Sequence, residues 1–304
     1  MPFTRRSALL MILACTSSAA ADGEGGEVPS PPLGWSSGRF GCEVDEQLVR
    51  DSADALVSSG MKAAGYQYIV IDGCWQSGRD GAGAMVADAQ RFPSGMKALA
   101  NYVHARGLKF ALYPEAGELA CRRRAGGDAQ RDSSQLAAWS VDAIRYDWCA
   151  AGAWKDTELP PPGKAGGTFQ ETRALFGLWA VLGAPLIAGN DVRNLDELTR
   201  TTLLNRQVIS VNQDELGAPG KRLRRDGDLD VWVRPLHDGA YALLLLNHGA
   251  ATLSARVNWS ELGLPPRASL QLRDLWSGRT LGRQRGGYMA TLAPHGTLLV
   301  RAIP

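Results

Sequence analysis

Apolar residues recur at helical spacing through the first two thirds of the chain and in short sheet-like runs after that. Leu48, Val49, Ala53, Leu56 and Val57 share one face of a helix that Asp45 can cap and Gly60 can end. The run Tyr66–Ile71 is strand-like and stops at Asp72. Gly78 to Pro93 reads as a loop, after which Ser94 opens a second helix through Met96, Leu99, Tyr102 and Val103, terminated by Gly107. Leu108–Tyr113 is another strand, ending near Glu115, and Ser133–Trp139 another helix. The short apolar run at Ala143 then ends in Arg145-Tyr146-Asp147-Trp148-Cys149.

Strand alternating with helix is the pattern of a parallel sheet built from βα units. It breaks between Ala150 and Gly167, a Gly/Pro/Ala-rich stretch with no strand signal. Helix resumes over Gln170–Leu182, Pro185–Ala188 is a strand leading to Asp191, and a last helix covers Leu195–Leu204. From Gly217 on, the character changes. Asp230–Val233, Tyr241–Leu246, Thr252–Val257, Ser269–Leu275, Tyr288–Leu292 and Thr297–Val300 are short strands between turn signals such as Asp226-Gly227 and Ser277-Gly278. That predicts an antiparallel β-sandwich. The expected organisation is a signal peptide over 1–21, a linker over 22–30, an α/β domain over 31–218 interrupted by the linker at 150–168, and a sandwich over 219–304.

The N-terminus carries Arg5-Arg6, an apolar core from Ala8 to Ala14 and the small residues Ala19-Ala20-Ala21, the layout of an export signal too short to span a bilayer. The mature chain is therefore expected outside the cytoplasm, with a lipid anchor on Cys15 as the alternative. No later segment reads as a membrane span. Removing the signal leaves Cys42, Cys74, Cys121 and Cys149, an even number in an oxidising compartment, which allows three pairings. No metal-ligand spacing is present, so neither metal nor cofactor is expected. A net charge of +2 gives no reason to expect nucleic acid, and the basic clusters Arg122–Arg124 and Lys221–Arg225 read as solvated loops. Asn258-Trp259-Ser260 fits a glycosylation sequon.

Functional side chains of α/β barrels sit at the C-terminal ends of the strands. Asp147 occupies such an end, though by itself it reads equally well as the cap of the next helix. Trp35, Asp72, Trp75, Tyr113, Glu115 and Asp191 lie at other strand ends. Carboxylates flanked by aromatic rings point to sugar chemistry.

Six blocks then occur in order: Pro32–Trp35, Ile71–Trp75, Phe92–Met96, Arg145–Cys149, Ala184–Ile187 and Val211–Asp214. Together they resemble the melibiase-type α-galactosidase and α-N-acetylgalactosaminidase family of glycoside hydrolases. The resemblance implies a (β/α)8 TIM-type barrel followed by a β-sandwich, and a retaining double displacement on α-galactosides. It implies Asp147 as nucleophile, with Trp35, Asp72, Tyr113 and Arg145 lining the sugar pocket. It also implies disulfides Cys42–Cys74 and Cys121–Cys149.

The departures matter as much. Gly73 stands where the family has a second aspartate, no second tryptophan follows Trp35, Arg145 replaces a lysine, and Trp148 replaces a smaller residue. Pro31 to Gly220 is about 190 residues, against roughly 250 for a complete barrel. Five strands are recognisable, and the segment that would bring the acid/base carboxylate falls in the gap. Such a sheet is expected to expose two edges and to self-associate through them. Asp191 is the remaining strand-end carboxylate beyond the gap; Asp156 and Glu158 lie in the linker. Two readings follow: an α-galactosidase, or a catalytically inactive homologue that binds galactosides weakly.

Overall fold

The structure is a computed structural model describing residues 30–113, 129–144 and 168–304. Glu115, Cys121, Arg145, Asp147 and Cys149 lie outside the described residues, as do the N-terminal signal and the 150–167 stretch.

Strand β1 (Leu33–Ser36) is buried along its whole length. Helix α1 (Glu46–Ser58) begins where Asp45 accepts a hydrogen bond from Leu48 N at 2.7 Å, and it buries Leu48, Val49, Ala53 and Leu56. Val57, expected on the same stripe, is exposed. Strand β2 (Tyr68–Ile71) is apolar because both faces of a parallel strand are covered. The Gly-rich stretch expected as a loop contains a hairpin, β3 (Gln76–Arg79) and β4 (Met85–Ala87). Helix α2 (Gly95–His104) starts without a side-chain cap from Ser94; the Ser94 N–H donates instead to Glu46 at 2.9 Å, joining α2 to α1. There follow β5 (Lys109–Leu112), α3 (Ala129–Ala138), β6 (Ala143–Ile144), α4 (Phe169–Leu182) and β7 (Leu186–Ala188). The single last helix expected at Leu195–Leu204 is two, α5 (Glu197–Leu203) and α6 (Arg206–Asn212). Asn205 divides them by accepting from Gln207 N and Val208 N at 3.0 and 3.2 Å, a fresh N-cap.

The five parallel strands lie in the order β6-β5-β2-β1-β7. β7 comes last in the chain yet pairs with β1, with Leu33 opposite Leu186 and Trp35 opposite Ala188. First strand beside last strand is the closing pair of a barrel. Among the described residues the sheet ends at β6 on one side and β7 on the other, so the architecture is a partial barrel.

The C-terminal region is an antiparallel sandwich. A six-stranded sheet contains β8 (Lys221–Asp226), β9 (Leu229–Pro235), β10 (Tyr241–Asn247), β12 (Ser269–Asp274), β13 (Thr280–Arg285) and β15 (Thr297–Ile303). A two-stranded sheet pairs β11 (Leu253–Asn258) with β14 (Gly287–Leu292). The basic cluster expected as a solvated loop is β8, an edge strand.

β10 is apolar without alternation because both of its faces are covered. Leu243 and Leu245 join the core between the two sheets, while Ala242 and Leu244 join the core shared with the barrel. Helix α4 is the element between. A side chain at Gly177 would meet Trp276 at 3.2 Å and Leu244 at 3.3 Å, so glycine is what lets α4 approach the sandwich. Fully buried Arg234 donates to Ala180 O at 2.8 Å, satisfying a carbonyl of α4's last turn.

Candidate active site

Because the strands are parallel, β1, β2, β5 and β7 end on one side of the sheet. Ser36, Asp72, Tyr113 and Asn190-Asp191 stand at or just beyond those ends. Half-buried Asp72 continues β2 by one residue and is gripped from the neighbouring strand end. The Ser36 hydroxyl donates to its carboxylate, and its backbone N–H donates to Ser37 Oγ at 2.9 Å. Tyr113 follows β5, is 7% exposed, and donates its N–H to Ile71 O at 2.8 Å. The Tyr113 carbonyl in turn accepts from the Trp75 indole at 2.9 Å. Asp72 and Tyr113 are thus brought together at adjacent strand ends by main-chain pairing.

Trp35 is placed differently from the open stacking surface that a sugar site suggests. It is fully buried, and its indole N–H donates to Asn190 O at 2.8 Å. Its ring lies 6.2 Å from Phe40, centroid to centroid. It therefore ties β1 to the chain leaving β7. Trp75 is likewise buried, edge-on to Trp139 at 5.9 Å.

Asp191 is engaged. Arg193 Nε and Nη2 donate to its two carboxylate oxygens, each at 2.8 Å. Those charge-assisted bonds hold its carboxyl below the usual carboxylate range, and the positive field of Arg39 adds to the effect. A carboxyl held ionised in this way is a poor proton donor at neutral pH.

The loop after β1 is fastened to the loop after β2 by the Cys42–Cys74 disulfide, with the Cα atoms 5.1 Å apart. The second expected bridge falls on residues outside those described. The Val211–Asp214 block lies away from the strand ends and organises the junction with the sandwich. Asn212 Nδ2 donates to Ala184 O at 2.8 Å, and Gln213 Nε2 to Pro31 O at 2.8 Å. Asp214 accepts from His237 N at 2.9 Å and faces His237 Nδ1 at 3.0 Å. Among the described residues no group of three His, Cys, Asp or Glu could hold a metal ion, and no helix is long and apolar enough to cross a membrane.

The family model described as alpha galactosidase A matches residues 30–159 and 149–214, and that of the alpha galactosidase C-terminal beta sandwich domain matches 226–302. An alpha-galactosidase of Cyamopsis tetragonoloba is 32% identical over 352 residues, covering 90% of this chain and 86% of the relative. The chain belongs to the alpha-galactosidase family. Alpha-galactosidase A of Cellvibrio japonicus is also 32% identical, over 90% of this chain and 92% of its own length. The solved alpha-galactosidase I of Mortierella vinacea superposes with a TM-score of 0.80 at 25% identity, covering 92% of this chain and 98% of that one. The family's chemistry is glycoside hydrolysis. The Cyamopsis alignment runs over 352 positions, more than the 304 residues here, so that relative carries residues this chain lacks. The two stretches matched by the first family model meet at 149–159, in the Pro/Gly-rich stretch.

Proposed function

We propose that this chain is an exported, retaining α-galactoside hydrolase that keeps the nucleophile and one side of the sugar pocket but lacks a general acid. Asp147 is the nucleophile. Asp72, Tyr113 and Arg145 contact the galactose, and Trp35 backs the pocket. The observation that carries the reading is the fixed pairing of Asp72 and Tyr113 on consecutive strand ends; Tyr113's strand, β5, pairs directly with β6, which Asp147 follows by three residues.

Retaining hydrolysis needs two carboxyl groups about 5–5.5 Å apart, one to attack and one to protonate the leaving oxygen. Among the described strand ends beyond the gap the carboxylate is Asp191, and Arg193 holds it ionised, so it does not supply the proton. Attack at the anomeric carbon then expels only a leaving group that departs as a stable anion. The carboxylate–galactosyl ester formed on Asp147 is released by water, slowly without a base. Residues 1–21 act as the export signal, with Cys15 lipidation the alternative; Cys121–Cys149 forms a second bridge, and the β6 and β7 edges promote self-association.

The test is hydrolysis of an aryl α-galactoside with a strongly acidic phenol, with and without azide. Slow release, accelerated by azide and abolished by Asp147→Asn, is expected, because azide attacks the ester without base assistance. No release at all would favour a homologue that binds galactosides without chemistry.

A further inference from the structure

The end of β1 has the means to orient Asp72, and the means are polar. In the parallel register Ser36 stands opposite Val70, and Val70 and Asp72 are two residues apart on β2 and its extension. Side chains two apart share a face, so Ser36 and Asp72 emerge on the same side of the sheet. The Ser36 hydroxyl accordingly donates to Asp72 Oδ2, while the same Oγ accepts from Gly38 N at 3.1 Å. Ser37 holds the other end of the residue by accepting the Asp72 N–H. Both serines are buried, at 6% and 1% exposure, which is unusual for hydroxyl side chains and fits their being fully used. Gly38 completes the grip, since a Cβ there would sit 2.5 Å from Asp72 Oδ2. The loop carrying these three residues is anchored four residues further on by the Cys42–Cys74 bridge, and Cys74 lies two residues past Asp72.

We infer that Ser36 is a positioning residue for the sugar-contacting carboxylate: its hydroxyl fixes the rotamer of Asp72 and so sets galactose affinity without touching the sugar. The inference rests on the reading of Asp72 as a sugar ligand. That bond narrows the rotamers the carboxylate samples, so less of the binding energy is spent selecting one of them.

Threonine and valine have the same shape and differ in the hydroxyl, so Ser36→Thr and Ser36→Val crowd the site equally. Galactose binding by the full oxidised chain is measured calorimetrically for both, beside Asp72→Asn and the unaltered chain, with melting temperatures recorded without sugar. Ser36→Thr should bind within about threefold of the unaltered chain and Ser36→Val about tenfold or more weaker, the range expected for a hydrogen bond to a charged group. The two should melt within a few degrees of each other. Equal affinity of Ser36→Val and Ser36→Thr, with Asp72→Asn binding lost, would overturn the role of Ser36 and leave that of Asp72 intact. Asp72→Asn binding no differently from the unaltered chain would remove the underlying reading and this inference with it.

Discussion

The sandwich and the partial barrel solve the same problem unequally. In the sandwich, β10 is paired on both sides, by β9 and β15, over six or seven residues each, and both faces of its sheet are covered. In the barrel sheet the outer strands are β6, which is described only as far as Ile144, and β7, three residues long, and each has one partner among the described residues. The difference teaches that the described edge of the barrel sheet at β7, the strand that closes onto β1, is backed by a separate body. Here that body is the sandwich, acting through α4 and the Asn212–Asp214 junction.

The largest effect should come from the sandwich centre. Leu245 is fully buried between the two sheets, and Leu245→Ala should cost about 2–5 kcal/mol. Half-buried Ile187 on β7 should lose roughly 1 kcal/mol on the same change. Urea unfolding measures both, and equal losses would erase the contrast between the two regions. Next, the Cys42–Cys74 bridge closes a loop between residues 32 apart in the barrel alone. Replacing both cysteines with serine should cost about 2–4 kcal/mol. The loss should appear in the barrel's unfolding, followed by Trp75 and Trp35 fluorescence, before the sandwich's. A sandwich destabilised first would mean that the bridge acts through the junction.

The smallest effect concerns the junction itself. The hydrogen bond from His237 to Asp214 raises the His237 pKa against a lesser opposing effect of desolvation. A group raised above its unfolded value, about 6.5, stabilises fully below that value, and the contribution is lost as pH rises through the folded pKa. Stability should therefore fall modestly across neutral pH on the alkaline side, and His237→Gln should flatten the profile. A slope unchanged in His237→Gln would assign the pH dependence elsewhere.

Much of this was legible in the chain because burial leaves a period. The buried strands β2, β5 and β7, the capped helix α1 and the doubly covered β10 are all read from apolar runs and their terminators. The misses have a common cause. β8 and β13 are the two outer strands of the six-stranded sheet, and charged residues such as Arg225, Arg283 and Arg285 mask their strand pattern. The β3–β4 hairpin is polar and Gly-rich for a similar reason, with three of the four β3 residues exposed. At the site, Asp72 and Tyr113 were visible as strand-end residues. From the sequence Trp35 reads as a pocket residue, but its full burial and its bond to Asn190 depend on β7 lying beside β1, a long-range pairing that no local pattern reveals. The Ser36 grip could have been found from parity alone, since it needs only the β1–β2 register.

A nucleophile acting without an acid is tested by a series of aryl α-galactosides whose phenols rise in pKa. If Asp147 attacks without an acid, kcat/KM falls steeply as the leaving phenol becomes less acidic, down to no measurable cleavage of an unactivated α-galactosyl disaccharide. A shallow dependence, with the disaccharide cleaved at a rate comparable to the best aryl substrate, would show that a proton donor is present and would contradict it.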